Sequence, residues 1–166
     1  MSISQVPLNS LFEISRGNKF DFNKMDKAPM GEHSIAFVSR SGERNGLVAF
    51  VEKVGNIQPY ESGLITVALG GSALSSFVQP RPFYTAQNID VLRPRFVMSL
   101  DVKLYYCLCI EANRFRYSTY GREANRTLHT IQVPALDYIP SWVNGVSKTA
   151  IGEFCNELIG LVDGEE

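Results

Sequence analysis

GLITVALGGSALSSFVQPRPFYTAQNIDVL, residues 63–92, decides the fold. Leu64, Ile65, Val67 and Leu69 form a strand-like apolar run that stops at Gly70-Gly71, and a second short run continues to Val78. Arg81 is bracketed by Pro80 and Pro82, and a third apolar run closes at Val91-Leu92. Short apolar runs punctuated by glycine and proline read as strands joined by turns. Upstream, SIAFVS (34–39) and LVAFVEKV (47–54) predict a hairpin across the turn RSGERNG (40–46). Further upstream, residues 11–14 of PLNSLFEISRG read as a short strand or a turn of helix broken at Gly17, before a loop made basic by Lys19, Lys24 and Lys27.

Downstream the period changes. From Ser99, Leu100, Leu104, Cys107 and Leu108 follow a 3.6-residue spacing, with Ser99 as candidate N-cap and Asp101 in the first turn. A second helix is predicted over 147–162, capped by Ser147, with Ile151, Phe154, Leu158 and Leu161 on one face. Gly152 and Gly160 count against it. The expectation is an α+β (mixed α/β) chain: a single β-rich domain over residues 1–166, core about 8–134, with one internal and one C-terminal helix.

At 166 residues the chain is long enough to bury a core of its own. No apolar run reaches membrane-spanning length, and MSISQVPLNS lacks the pattern of a signal peptide, which predicts a cytoplasmic protein away from membranes. Cys107, Cys109 and Cys155 lie in apolar surroundings and are expected to be buried, reduced thiols. The net charge of −1 hides a separation. Fifteen of the sixteen Lys and Arg precede residue 134, whereas six of the seventeen acids follow it. A mildly basic body with an acidic tail predicts weak non-specific affinity for phosphates.

Catalytic motifs fare poorly. Gly70-Gly71-Ser72 is followed by neither a Lys-Ser/Thr pair nor a helix, so it reads as a tight turn and not a phosphate loop. His33 and His129 stand far apart, outside any spaced ligand cluster. Cys107 and Cys109, two apart on a helix, point about 200° away from each other and cannot chelate as a pair. Asp90, Asp101 and Lys103 could be arranged as the acids and lysine of a metal-dependent nuclease. The simpler reading gives Asp101 and Lys103 to helix capping and solvent.

The arginines carry more. Arg114, Arg116, Arg122 and Arg126 fall within thirteen residues, interleaved with Phe115, Tyr117 and Tyr120. Arginine and asparagine make bidentate contacts to guanine and adenine, and Asn125-Arg126 offers both side by side. Turn 40–46 repeats that makeup in Arg40, Arg44 and Asn45. Two polar loops of one kind suggest a DNA-reading surface made of Arg40, Arg44, Asn45, Arg116, Tyr120, Arg122, Asn125 and Arg126. A solvated helix end followed by a turn is the competing reading of 114–126.

The order of elements, LFEISRG, IAFVSRSGERNGLVAFV, the segment 63–92, a helix and RYSTYGREANRTLHTIQVP, resembles a target recognition domain of Type I restriction–modification specificity subunits and of related Type II enzymes. The resemblance covers about residues 8–134. It implies a non-catalytic reader of double-stranded DNA, working through loops that project from a β-rich globule. Loops 40–46 and 117–126 match those positions, and turn 70–72 is a weaker candidate. The partners implied are a DNA methyltransferase, which carries S-adenosylmethionine and flips out its target adenine, and often an endonuclease subunit. No cofactor is implied on this chain.

Family members carry two such domains separated by long helices, whereas this chain has one domain and a short helical tail without the usual glutamine-rich entry. A lone subunit, a half-size subunit that forms a homodimer, and an excised domain all fit. Two functions of other classes remain beside this one: the small nuclease using Asp90, Asp101 and Lys103, and a protein-interaction module docking through the C-terminal helix.

Overall fold

The computed structural model describes residues 4–117, 124 and 127–163, except for the side chains of 154 and 156–163. Two four-stranded sheets form the body. The first, antiparallel throughout, runs β2 (Phe12–Arg16), β9 (Ile89–Pro94), β6 (Ile65–Ala68), β7 (Ser76–Val78). The second runs β3 (Lys27–Ala28), β5 (Leu47–Val51), β4 (Ile35–Val38), β8 (Phe83–Thr85), with only β4 and β8 parallel. The expected hairpin is β4–β5, and the glycine turn joins β6 to β7. Segment 63–92 thus feeds both sheets, sending β8 across to the second and returning as β9 to the first.

Side chains alternate across a strand, and the cores follow that period. Ile89 and Val91 of β9 join Ala36, Val38, Leu64 and Phe83 in one cluster that spans both sheets. Leu92 belongs to the larger core on the other face of the first sheet, with Ile65, Val67 and Phe12. Phe20, Phe22 and Met25 close a third cluster over Phe37 and Tyr84. Of the two readings of residues 11–14 the strand holds: β2 begins at Phe12, and the helical turn α1 (Leu8–Leu11) lies just before it. A third pairing, β1 (Gln5–Pro7) with β10 (Gln132–Pro134), ties the start of the domain to the end of its globular part.

Helix α2 (Leu100–Glu111) starts where expected, and Ser99 accepts the Val102 N–H at 3.3 Å. Its buried face differs from the expected one. Val102, Tyr106, Cys107 and Ile110 pack on the large core, whereas Leu100, Leu104 and Leu108 are 54%, 40% and 64% exposed. The helix is apolar nearly all round, so spacing alone offers two stripes. The sheet takes the one with the larger payload: Tyr106 packs edge-on to Phe12 with ring centroids 5.5 Å apart, and its hydroxyl donates to Pro134 O at 2.9 Å.

The C-terminal helix α3 (Val146–Asp163) begins one residue before its expected start, and Ser147 is not its cap. The Asp101 carboxylate on α2 does that work, accepting the Gly145 N–H at 2.7 Å and the Ser147 N–H at 3.2 Å. Asp101 has its acid pKa lowered, first by the Ser147 hydroxyl and then by the Gly145 N–H. Ile151 is 63% exposed, and Phe154, Leu158 and Leu161 lie outside the described side chains. The thiols also differ from expectation: Cys107 is buried, with its pKa pushed up to about 12 by desolvation, but Cys109 is half-buried and Cys155 exposed.

Candidate nucleic-acid interface

Five loops meet at one end of the two sheets. Loop 39–46 lies against the glycine turn, where Ser72 N–H donates to Arg40 O at 3.3 Å and a Cβ on Gly42 would sit 3.1 Å from Ser75 Oγ. The glycine turn also touches turn 86–88 and the segment beyond α2. Leu69 N–H donates to Asn88 O and Ala124 N–H to Leu69 O, each at 2.9 Å. Arg114 reaches it from the end of α2, with Nε to Ala73 O and Nη2 to Ser75 Oγ, both at 3.0 Å. Loop 17–22 is pinned to β8 by reciprocal bonds, Asn18 N–H to Thr85 Oγ1 at 2.8 Å and Thr85 N–H to Asn18 Oδ1 at 3.1 Å. Gly17 is required there, because a Cβ would fall 2.1 Å from Thr85 Oγ1.

The backbone at this end is held in costly conformations. Among the described residues, the non-glycines with positive φ are Lys19, Arg44, Asn45, Leu74 and Asn88, and all five lie in these loops. Asparagine tolerates the left-handed region, whereas arginine, lysine and leucine do so at a cost of about 1–2 kcal/mol each. Arg44 (φ 52°) and Asn45 (φ 56°) are the central residues of a left-handed turn closed by Gly46 N–H to Glu43 O at 2.8 Å. Such turns match strand twist, and they favour Asn and Gly over Arg. Strain of this kind persists where the surrounding structure over-determines the backbone, and it clusters at functional sites.

The predicted residues fall as follows. Arg40, Arg44 and Asn45 are exposed on loop 39–46. Among the described residues, the side chains of Arg40, Arg44 and Lys19 make no hydrogen bond or ion pair. Arg116 is exposed in the short 3-10 segment Arg114–Tyr117, its guanidinium 5.6 Å from the Phe115 ring centroid. Tyr120, Arg122, Asn125 and Arg126 lie outside the described residues, although their neighbour Ala124 is bonded to the glycine turn. Arg114 is braced to the fold and not free. Nearby acids are partly occupied: Asp21 accepts the Asn23 N–H at 3.1 Å and Glu111 the Ser76 N–H at 3.0 Å, while Glu43 stays exposed.

Composition points to loops 40–46 and 117–126 and, more weakly, to turn 70–72. It gives no signal at 86–88, whose polar Gln87-Asn88 interrupts the apolar run between β8 and β9.

The three residues of the nuclease alternative serve three different places. Asp90, 2% exposed, has Arg16 Nε at 3.1 Å from Oδ1. Burial raises its pKa, with Arg16 and His129 pulling against the shift. Asp101 holds the start of α3, and Lys103 Nζ donates to Gly63 O at 2.8 Å. No common metal position joins them.

Residues 3–134 match the family model described as the Type I restriction modification DNA specificity domain. The chain belongs to that family. The description of that family makes it a DNA-specificity domain. The fold agrees with solved specificity subunits. The Type I restriction–modification S subunit from M. genitalium superimposes with a TM-score of 0.60 at 14% identity, over 96% of this chain and 42% of that one. A structure described as showing complex assembly and conformational transition of the type I R-M system gives 0.56 at 13% identity, over 96% and 42%. The HsdS subunit from Thermoanaerobacter tengcongensis gives 0.53 at 15%, over 90% and 38%. The chain therefore spans less than half the length of these structures. No curated protein sequence matches it.

Proposed function

We propose that this specificity domain reads a short sequence of double-stranded DNA with the loop end, and thereby places a DNA methyltransferase on its target. The observation that carries the reading is the coincidence at one end of strained turns, a backbone pinned between both sheets, and arginines with no partner among the described residues. Arg40 and Arg44 supply contacts from one loop, and Arg116, Tyr120, Arg122, Asn125 and Arg126 from the segment beyond α2. S-adenosylmethionine belongs to the methyltransferase partner, and an endonuclease subunit joins in the restricting form of such a system. Helix α3, whose described side chains are mostly exposed, is available to a partner subunit or to a second copy of this chain in a homodimer. A reader of DNA of this family works in the cytoplasm; no helix among the described residues is long and apolar enough to cross a membrane.

The test is binding of the complex between this chain and its methyltransferase to specific and scrambled duplexes across a salt series. Arg44→Ala, Arg122→Ala or Arg126→Ala should cost about 1–3 kcal/mol and relax specificity at one position if the arginine meets a base. If it meets a phosphate, binding to all sequences weakens alike and the salt slope flattens. Lys53→Ala, on a loop after β5, should do neither. Unchanged affinity and specificity in all three arginine variants would refute the assignment.

A further inference from the structure

The turn between β8 and β9 also carries a residue in the left-handed conformation, yet nothing assigns it a role. Ala86 N–H donates to Val38 O and Leu69 N–H donates to Asn88 O, each at 2.9 Å, so the residues on both sides of Gln87 are fixed, one to each sheet. Asn88 takes the left-handed conformation, φ 56°, that aims the turn outward. Gln87 itself is exposed, and its amide makes no hydrogen bond among the described residues. A glutamine held by rigid backbone with both amide functions free has no structural duty to perform.

Its surroundings supply what a base-reading amide needs. Gln87 and Ala86 line a shallow depression with Phe20, Asp21, Phe22 and Arg40. Arg40 flanks it on one side with an unengaged guanidinium. Lys19, its backbone strained at φ 62° and braced by the Asn18–Thr85 bonds, is carried by the loop on the other side. A polar reader between two cations is the arrangement in which phosphate contacts set register and an amide reads the base between them. The one carboxylate of the depression, Asp21, already caps the Asn23 N–H.

We infer that Gln87 is a specificity-determining residue that reads the major-groove edge of an adenine, with Arg40 and Lys19 as phosphate contacts on either side. Glutamine pairs bidentately with adenine N6 and N7 and with no other base in that manner. This inference rests on the DNA-reading function proposed above.

The experiment exposes the chain at low salt to a pool of duplexes with a randomised core and sequences the bound fraction. The wild-type chain enriches one motif. Gln87→Ala, an exposed change that leaves the thermal midpoint in place, enriches the same motif with one A·T requirement lost, and binds the wild-type motif about ten- to a hundredfold more weakly. Lys19→Ala keeps every position of the motif but weakens binding to all duplexes alike, with a salt slope lower by about one. If Gln87→Ala selects an unaltered motif while Arg44→Ala degrades it, the loop end reads DNA and the role of Gln87 is overturned. If the wild-type chain enriches no motif, the DNA reading falls and this inference falls with it.

Discussion

The loop end and the junction of α2 with α3 solve opposite problems. At the loop end the backbone is pinned by bonds to both sheets and held in left-handed turns, while Lys19, Arg40, Arg44 and Gln87 display side chains with no partner among the described residues. At the junction the backbone is regular and the side chains are committed: Asp101 caps α3, Lys103 holds Gly63 O, and Tyr106 holds Pro134 O. A surface meant to read another molecule keeps donors free on a rigid frame. A surface meant to hold the fold spends them.

The contrast breaks most readily at Gly17. Its missing Cβ allows β2 to approach Thr85, and that approach is what seats the Asn18–Thr85 clamp. Gly17→Ala should destabilise the domain by about 1–3 kcal/mol, the ordinary cost of overpacking, as measured by urea unfolding. DNA affinity should fall beyond what the lost folded fraction explains, because Lys19 and the adjoining depression lose their support. A variant with wild-type stability would show that the contact relaxes freely and that the loop end yields to an added methyl group.

Arg44 gives a smaller effect of opposite sign. Replacing it by the residue this turn prefers, Arg44→Asn, should raise stability by about 0.5–1 kcal/mol, since asparagine accepts the left-handed region that arginine resists. DNA binding should weaken in the same protein. Stability gained with binding lost identifies strain kept for function. Stability lost would mean that the arginine supports the turn, and the functional argument from strain would fail at that residue.

Legibility in the sequence followed the same divide. The strands of 63–92, the hairpin β4–β5 and the Ser99 cap were readable because their signals are local: period, glycine and proline punctuation, and a hydroxyl one residue ahead of a helix. The transfer of β8 to the second sheet was not, because strand pairing is settled by contacts far apart in sequence, such as Phe37 beside Tyr84. Spacing on α2 suggests Leu100, Leu104, Cys107 and Leu108, and the sheet buries Cys107 with Tyr106 and Ile110 while the three leucines stay exposed. Likewise Ser147 has the composition of a cap, and a carboxylate 46 residues upstream holds its N–H. At the site, arginine-rich loops drew notice through composition. Gln87 carried no such signal, since only the paired strands on either side show that its backbone is fixed.

The smallest expected effect lies at the junction, in Asp101→Ala. The described part of α3 is exposed, so removing its cap should alter global unfolding less than either change above and should leave DNA binding intact. The change should appear in hydrogen exchange, as faster exchange of the amides at the start of α3, Gly145 just before it and Ser147 in its first turn, against an unchanged α2. The wild-type protein should show the same loosening in acid. Hydrogen bonds from Ser147 and Gly145 lower the Asp101 pKa in the folded state, so its contribution is present above the ordinary aspartate value and is lost as pH falls through the depressed one. Protection of the two amides should therefore hold from neutral pH down to about 4 and fade below it, the usual position of an unperturbed aspartate being about 3.9. In Asp101→Ala that acid step should be missing, with low protection at every pH. A step that survives the substitution would assign the acid sensitivity of α3 to another carboxylate and remove Asp101 as the group that fixes the helix to the body.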